Sequence, residues 1–485
     1  MEVFKKLKPE LVWKYFEEIT KVPRPSKKEE KIIEYLLEFG AKHKLKTKRD
    51  KIGNVVISKP GTKGMESCKT VVLQSHMDMV CEKNSDVKFD FDNDPIQPYI
   101  DGEWVKAKGT TLGADDGIGM AAQLALLVSD NISHGPIECL FTVDEETGLS
   151  GAFGLEEGMF SGKILVNLDS EDEGEIFIGC AGGIDTLAHF DYEEEHLPAG
   201  LVALRIEVKG LKGGHSGDEI HKGHGNSVKI LNRILWHASD EFEMRISHID
   251  AGNLRNAIPR EAVADVCIPA VHEKEFTKYV KNFYNDAKLE LSVTAPELSI
   301  TVKPAGEQKF VIDENTQYNL VNALYACPHG VISWSQSLEG LVETSTNLAS
   351  VKFVENNRIM VTTSQRSSLN SGKEDIANMV ESVFVLAGAD VVHSEGYPGW
   401  NPNPNSDILK IAETTYQKLF KKKPVVRAIH AGLECGLFLE KYPGLDMISI
   451  GPTLRGVHSP DEKINIKTVE MWWNHLLEIL KNIPR

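Results

Sequence analysis

Cysteine is sparse in this 485-residue sequence. Cys68, Cys81, Cys139, Cys180, Cys267, Cys327 and Cys435 are scattered, odd in number and contain no Cys-x-x-Cys pair. That pattern argues against a disulfide framework and fits free thiols in a reducing compartment. Long apolar runs are missing too. Nothing approaches the roughly 18 residues that span a bilayer, and the N-terminal MEVFKKLKPELVWKYFEEI is charged and amphipathic, without the apolar centre of a secretory signal. A cytoplasmic protein is expected. Positive charge is in short supply, with 54 Lys+Arg against 71 Asp+Glu and a net charge of −17. Nucleic acids and anionic membranes are therefore poor candidates as partners, because both need clustered positive charge. The phosphate-cradling Gly-x-x-x-x-Gly-Lys, the zinc helix His-Glu-x-x-His and the nucleophile turn Gly-x-Ser-x-Gly are all absent. The acidic surplus has two readings, general solubility or carboxylates gathered to hold cations.

What is present is an ordinary globular composition, 41% apolar and 26% charged, in a chain long enough for roughly two to four domains. Helical spacing over residues 9–19 and 27–44 precedes strand-like runs at 53–58, 70–74, 136–143 and 163–168. A helical pattern over about 118–128 follows the glycine-rich Leu112-Gly-Ala-Asp-Asp-Gly. Strands alternating with helices predict an α/β domain whose mixed, mainly parallel sheet is flanked by helices. The middle of the chain changes character. Residues 203–210, 226–238, 242–250, 260–269, 273–288 and 298–303 spell β-α-β-β-α-β, a ferredoxin-like unit. A looser version recurs as a helix at 316–326, strands around 331–335, 341–354 and 358–365, a helix at 374–388 and a strand at 390–394. After the proline-rich Tyr397-Pro-Gly-Trp-Asn-Pro-Asn-Pro, α/β alternation resumes. The expected organisation is a split α/β domain, 1–184 and 397–485, interrupted by an inserted α+β lid-like domain, 185–396.

Acids and histidines stand where these strands end. The 70–74 run leads into Ser75-His76-Met77-Asp78, the 136–143 run into Asp144-Glu145-Glu146, and the 163–168 run into Asp169. The 446–450 run leads into a loop holding His458, and Asp115 stands at the glycine-rich entry to a helix. The C-terminal edge of an open α/β sheet is where ligands bind. Two His and three carboxylates are nitrogen and oxygen donors suited to zinc, cobalt or manganese. His76 and Asp78, two apart on extended chain, share a face, so Asp78 can fix the ring of a ligating His76. Glu145 and Glu146 point apart on extended chain, so one can ligate while the other serves as a base. Taken singly, each of these residues reads as a surface histidine or a solvated acidic loop. Five such positions at one edge favour a metal site.

With these residues in view the sequence resembles the co-catalytic zinc metallopeptidases that include carboxypeptidase-G-type enzymes, acylaminoacid deacylases and carnosinases. The likeness spans the chain from Val22-Pro-Arg-Pro-Ser to the final helix. It is carried by Gln74-Ser-His-Met-Asp-Met-Val, Gly109-Thr-Thr-Leu-Gly-Ala-Asp-Asp-Gly-Ile-Gly, Asp144-Glu-Glu-Thr-Gly, Asn167-Leu-Asp-Ser-Glu, Lys212-Gly-Gly-His-Ser-Gly, Leu254-Arg-Asn-Ala-Ile-Pro-Arg, His430-Ala-Gly-Leu-Glu-Cys-Gly and His458-Ser-Pro-Asp-Glu. The resemblance implies two divalent ions, Zn2+ first with Co2+ or Mn2+ as alternatives, bridged by Asp115. His76 and Asp169 would complete one ion, Glu146 and His458 the other. Asp78 would orient His76, and Glu145 would be the general base on the attacking water. A cis peptide is expected between Asp115 and Asp116. In the inserted domain His215 would stabilise the developing oxyanion, Asn256 and Arg366 would contact the substrate, and the Arg366 fork with the Gly432 N–H would hold its terminal carboxylate. The implied activity is hydrolysis of dipeptides with broad specificity, Xaa-His dipeptides included, by a monomer or homodimer. The alternatives are an N-acyl-amino-acid amidohydrolase or a carboxypeptidase on the same scaffold. From another class, a binding protein that has lost catalysis is disfavoured, because all seven metal and catalytic positions are filled.

Overall fold

A computed structural model describes residues 3–197 and 199–485. The chain forms two compact units. The first contains the chain up to Gly179 together with Pro402–Ala428 and Leu433–Arg485; the second is Cys180–Asn401 with Ile429–Gly432. No helix among the described residues is long and apolar enough to cross a membrane.

The first unit is built on an eight-stranded sheet in the order Lys46–Arg49, Val55–Lys59, Ile137–Thr142, Val71–His76, Ile164–Asn167, Asp446–Ser449, Glu175–Cys180 and Val425–Ile429. Its four central strands, 137–142, 71–76, 164–167 and 446–449, run parallel. Val71–His76 and Ile164–Asn167 are buried throughout, as strands covered on both faces must be. Register aligns their ends: His76 lies opposite Thr142, Gln74 opposite Asn167, and Ser449 opposite Asn167. The residues that follow each strand therefore leave from one edge.

Helix Ala114–Val128 is apolar on all sides and almost wholly buried, the signature of an interior helix. It begins earlier than the expected 118, but Asp115 and Asp116 have non-helical backbone angles. Regular geometry starts at Gly117, with Asp116 Oδ1 accepting from the Gly119 amide at 3.1 Å. A second, antiparallel sheet lies outside the expected elements. It joins Leu454–Arg455, Lys463–Asn465, Trp104–Ala107 and Pro98–Asp101, strands too short to show alternation. His458 sits in the hairpin between its first two strands, at φ +60°.

The second unit carries a nine-stranded sheet over a large hydrophobic core. The expected β-α-β-β-α-β unit is present as Leu201–Lys209, Ser227–Glu241, Arg245–Gly252, Ala262–Pro269, Glu273–Glu290 and Ser299–Pro304. The looser repeat is also present, with a different opening. Its first strand is Gly182–Asp191, upstream of the whole first repeat, followed by Glu314–Ala326, Val342–Val354, Arg358–Ser367, Asn370–Leu386 and Asp390–His393. Gly330–Trp334 is an extra strand on Val342–Val354. The two repeats join edge to edge where Asp250, Ala251 and Gly252 pair with Lys352, Val351 and Ser350. A Cβ on Gly252 would lie 2.0 Å from the Ala349 carbonyl oxygen, so this seam requires glycine.

Candidate metal centre

His76 is the last residue of its strand. Its Nε2 lies 3.0 Å from Asp115 Oδ1 and 3.5 Å from Asp169 Oδ1, and its Nδ1 lies 3.3 Å from Asp78 Oδ1. His458 Nε2 lies 3.2 Å from Asp115 Oδ2 and 3.0 Å from Glu146 Oε2. The two oxygens of Asp115 thus face two different histidines. Donor atoms of His76, Asp115 and Asp169 lie within 4.8 Å of one another, and so do those of Asp115, Glu146 and His458. Both triads contain Asp115, whose peptide to Asp116 is cis.

Asp78 does more than face His76. Its oxygens accept from the amides of Glu145 (3.0 Å) and Glu146 (3.2 Å) and from Ser26 Oγ (2.8 Å). One buried carboxylate thus ties His76 to the turn bearing both glutamates. That turn is not the extended segment expected. Asp144 is left-handed at φ +49°, ending the strand, and Glu145–Gly148 is a single helical turn. Glu145 and Glu146 do not diverge by strand alternation; both have an oxygen within 4.8 Å of a His76 ring nitrogen and of each other.

Beside these side chains runs a row of buried polar groups. Asn167 Nδ2 donates to Gln74 Oε1 at 2.6 Å, and Gln74 Nε2 donates to Glu434 Oε2 at 2.6 Å. Thr142 Oγ1 donates to the same oxygen at 2.9 Å. Asn167 Oδ1 accepts from the Asp169 amide and from Ser449 Oγ. A hydrogen-bonded row of this kind holds all four parallel strand ends in one arrangement. Burial pushes the Glu434 carboxyl up to about 8.

The electrostatics call for cations. Burial would raise the Asp115 carboxyl, but hydrogen bonds to His458 and His76 hold it well below the usual carboxylate range. Hydrogen bonds to Asp115 and Glu146 push His458 up to about 11. Burial pushes Asp169 up to about 7, against the pull of His76. Burial also raises Glu145, which is further raised by Asp169, Glu146 and Glu434. Two imidazoles cannot balance so many crowded carboxylates, and like charges this close do not all ionise without added positive charge. Glu146 Oε1 is buried without a hydrogen-bond partner. The nitrogen and oxygen donors, in two triads sharing one carboxylate, fit a pair of divalent ions. Asp116 and Glu171 line a small cavity with Asp115 and Asp169.

The expected substrate-binding residues lie together in the second unit. The Ser216 amide donates to the Asn256 carbonyl at 2.8 Å, and His215 is bridged to Ala257. Asn347 Nδ2 secures that segment through the carbonyls of Arg255 and Ala257. His215 Nδ1 accepts from the Asp218 amide at 3.2 Å. Arg366 donates to the Tyr397 hydroxyl at 3.0 Å, while its Nε is buried and unbonded. A Cβ on Gly432 would lie 2.9 Å from the Tyr397 ring. His430 Nε2 is 2.7 Å from Ser345 Oγ, on the strand register position opposite Arg366. Burial, with Arg366 nearby, pushes the His430 imidazole down to about 3. Tyr397 was not singled out by sequence; its signal lay inside the proline-rich segment read as a connection.

Comparison with known proteins places this geometry among relatives. Residues 72–482 match Peptidase family M20/M25/M40. The chain is 45% identical over 484 residues to the cytosol non-specific dipeptidase of Escherichia coli K12, covering 100% of both chains. It superposes on the crystal structure of aminoacylhistidine dipeptidase from Vibrio alginolyticus with a TM-score of 0.93 and 45% identity, covering 99% of this chain and 98% of that one. An aminopeptidase from Bacillus cereus shares the fold at a TM-score of 0.57 and 17% identity, over 98% of this chain and 99% of that one.

Proposed function

The chain belongs to Peptidase family M20/M25/M40, and from that premise we propose that it hydrolyses dipeptides of broad specificity, Xaa-His dipeptides among them, at a pair of divalent ions. What carries the reading is Asp115, whose two oxygens face His76 and His458 separately. His76, Asp115 and Asp169 would hold one ion and Asp115, Glu146 and His458 the other. Zn2+ is the ion most suited to this donor set, with Co2+ and Mn2+ as substitutes. Bound there, the ions supply Lewis acidity that lowers the pKa of water and polarises a carbonyl.

The protein's own groups do the rest. Asp78 Oδ1, 3.3 Å from His76 Nδ1, would draw the ring proton to that nitrogen and so favour the tautomer that leaves Nε2 free to ligate. Glu145 takes a proton from the attacking water and returns it to the departing amine. His215 donates to the oxyanion as it develops. Arg366 and the Gly432 N–H hold the terminal carboxylate, the Arg fork matching its two oxygens, and Asn256 contacts the substrate beside them. In this scheme the first unit is the catalytic domain and the second the lid domain, whose residues recognise the substrate's terminal carboxylate. The reaction belongs to the cytoplasm, as the name of the Escherichia coli relative indicates for that protein.

Metal analysis of the purified protein with a panel of Ala-His, β-Ala-His and N-acetyl-His tests the reading. Two equivalents of metal and cleavage of the free dipeptides are expected. Cleavage of N-acetyl-His alone would turn the assignment to an amidohydrolase. Glu145→Ala should retain both ions and lose about 10²- to 10⁴-fold in kcat; a fully active variant would refute the mechanism.

A further inference from the structure

Two buried charges have no part in the chemistry above, yet both end at the loop that presents Asp115. Arg24, in Val22-Pro-Arg-Pro-Ser, is 2% exposed. Its Nη1 donates to the carbonyls of Met77 (3.1 Å) and Asp78 (2.6 Å), and its Nη2 to that of Gly113. Glu462 is equally buried and accepts from four consecutive amides. Leu112 (2.7 Å) and Gly113 (2.9 Å) donate to Oε2, and Ala114 (2.7 Å) and Asp115 (3.3 Å) donate to Oε1. A carboxylate and a guanidinium so deeply buried are tolerated only when their hydrogen-bonding capacity is met, and charge-assisted bonds to backbone groups meet it. The loop is shaped to admit them. A Cβ on Gly113 or Gly117 would lie 2.5 or 2.7 Å from Arg24 Nη2, and Gly113 is left-handed at φ +67°, a backbone state that glycine adopts without steric cost.

We propose that Arg24 and Glu462 are a positioning pair that sets Asp115 between His76 and His458. Glu462 lies four residues beyond His458 in the same hairpin, so its bonds lock that hairpin to the 112–115 loop. Arg24 locks the same loop to Met77 and Asp78, the residues directly after His76. Two side chains, neither among the proposed ligands, thereby pin the three segments that present His76, Asp115 and His458. The proposal rests on the two-ion reading of the site.

The test uses Arg24→Lys and Glu462→Gln in the full chain, with Asp313→Asn as a control. Lys places one nitrogen where the fork reached three carbonyls, and Gln replaces an accepting oxygen with a donor facing amides. Asp313 accepts from the amides of Thr316 and Glu193 in the second unit. Metal-free proteins are titrated with Zn2+ against a chromophoric chelator, and with Co2+ while its visible spectrum is recorded. The pair variants should bind Zn2+ about 10- to 100-fold more weakly, shift the Co2+ spectrum and lose kcat at nearly constant KM. The control should lose thermal stability only. Folded pair variants with wild-type Zn2+ affinity and Co2+ spectrum overturn the proposal. A variant that folds only with millimolar Zn2+ supports it; failure of both to fold at any Zn2+ concentration assigns the pair to folding alone and overturns it. A wild-type protein that binds none of Zn2+, Co2+ and Mn2+ would defeat the two-ion reading itself, and the pair with it.

Discussion

Arg366 shows how a single side chain can be held ready for a ligand. It is 7% exposed, hydrogen-bonded through Nη1 to Tyr397, and left with a buried, unbonded Nε. A guanidinium with an unsatisfied buried donor gains when an anion arrives, because the cost of that donor is already present. Lysine keeps the charge but loses the planar fork. Arg366→Lys should therefore raise KM for a dipeptide about 10- to 100-fold with a smaller change in kcat, the mark of lost uniform binding. The same substitution should leave KM for a C-terminal dipeptide amide nearly unchanged, and steady-state kinetics on the two substrates checks it. Equal effects on both would remove the carboxylate from Arg366. At this scale the sequence was informative about residue types: His76, Asp115, Glu146, Asp169 and His458 could be picked out because strand ends and a glycine-rich helix entry announce themselves locally. Glu462 could not. Its four hydrogen bonds span about 350 residues of chain, and a lone Glu in a loop carries no local sign of them.

Among the elements, the C-terminal helix Ile466–Lys481 carries a polar group in its apolar face. His475 is buried with Nε2–H donating to the Ala412 carbonyl at 2.8 Å, and burial pushes its imidazole down to about 4. In the unfolded chain the group titrates near 6.5. Above that pH neither state is protonated and the shift contributes nothing against folding. As pH falls from about 6.5 to about 4, the unfolded chain binds a proton that the folded chain refuses, so stability drops, by about 3 kcal/mol in all. His475→Gln keeps a donor without the titration. Urea unfolding at pH 7 and pH 4.5 should show the variant losing about 2 kcal/mol less than the wild type over that interval. An equal loss in both would assign the acid sensitivity to other groups. Two physical reasons hide elements from local sequence pattern. The strands Leu454–Arg455 and Pro98–Asp101 are too short for a pattern. The opening strand of the second repeat, Gly182–Asp191, lies before the first repeat in the chain, and sheet neighbours need not be sequence neighbours.

Over the whole molecule, the two units have separate sheets, and the proposed ions bind only the first. Ligands that bind the folded state alone stabilise it by mass action, about 4 kcal/mol at a thousandfold excess over Kd. Calorimetry should therefore show a chelator lowering the transition of the first unit while leaving that of the second in place; equal lowering of both would contradict a centre confined to the first. The charge of −17 reads differently at this scale. Two divalent ions would bring it to about −13, so most of the acidic surplus is solvated surface, and the location of a few carboxylates matters more than their number. By itself the sequence determined the alternation of strands and helices, the ferredoxin-like order in the middle of the chain, and which donors stand at strand ends, because those are properties of local spacing. Only the tertiary structure decided that the two oxygens of Asp115 meet different histidines, and that Arg24 and Glu462 close on its loop. Those relations depend on sheet register and on a hairpin about 340 residues downstream, and no local propensity encodes a distance across that much chain.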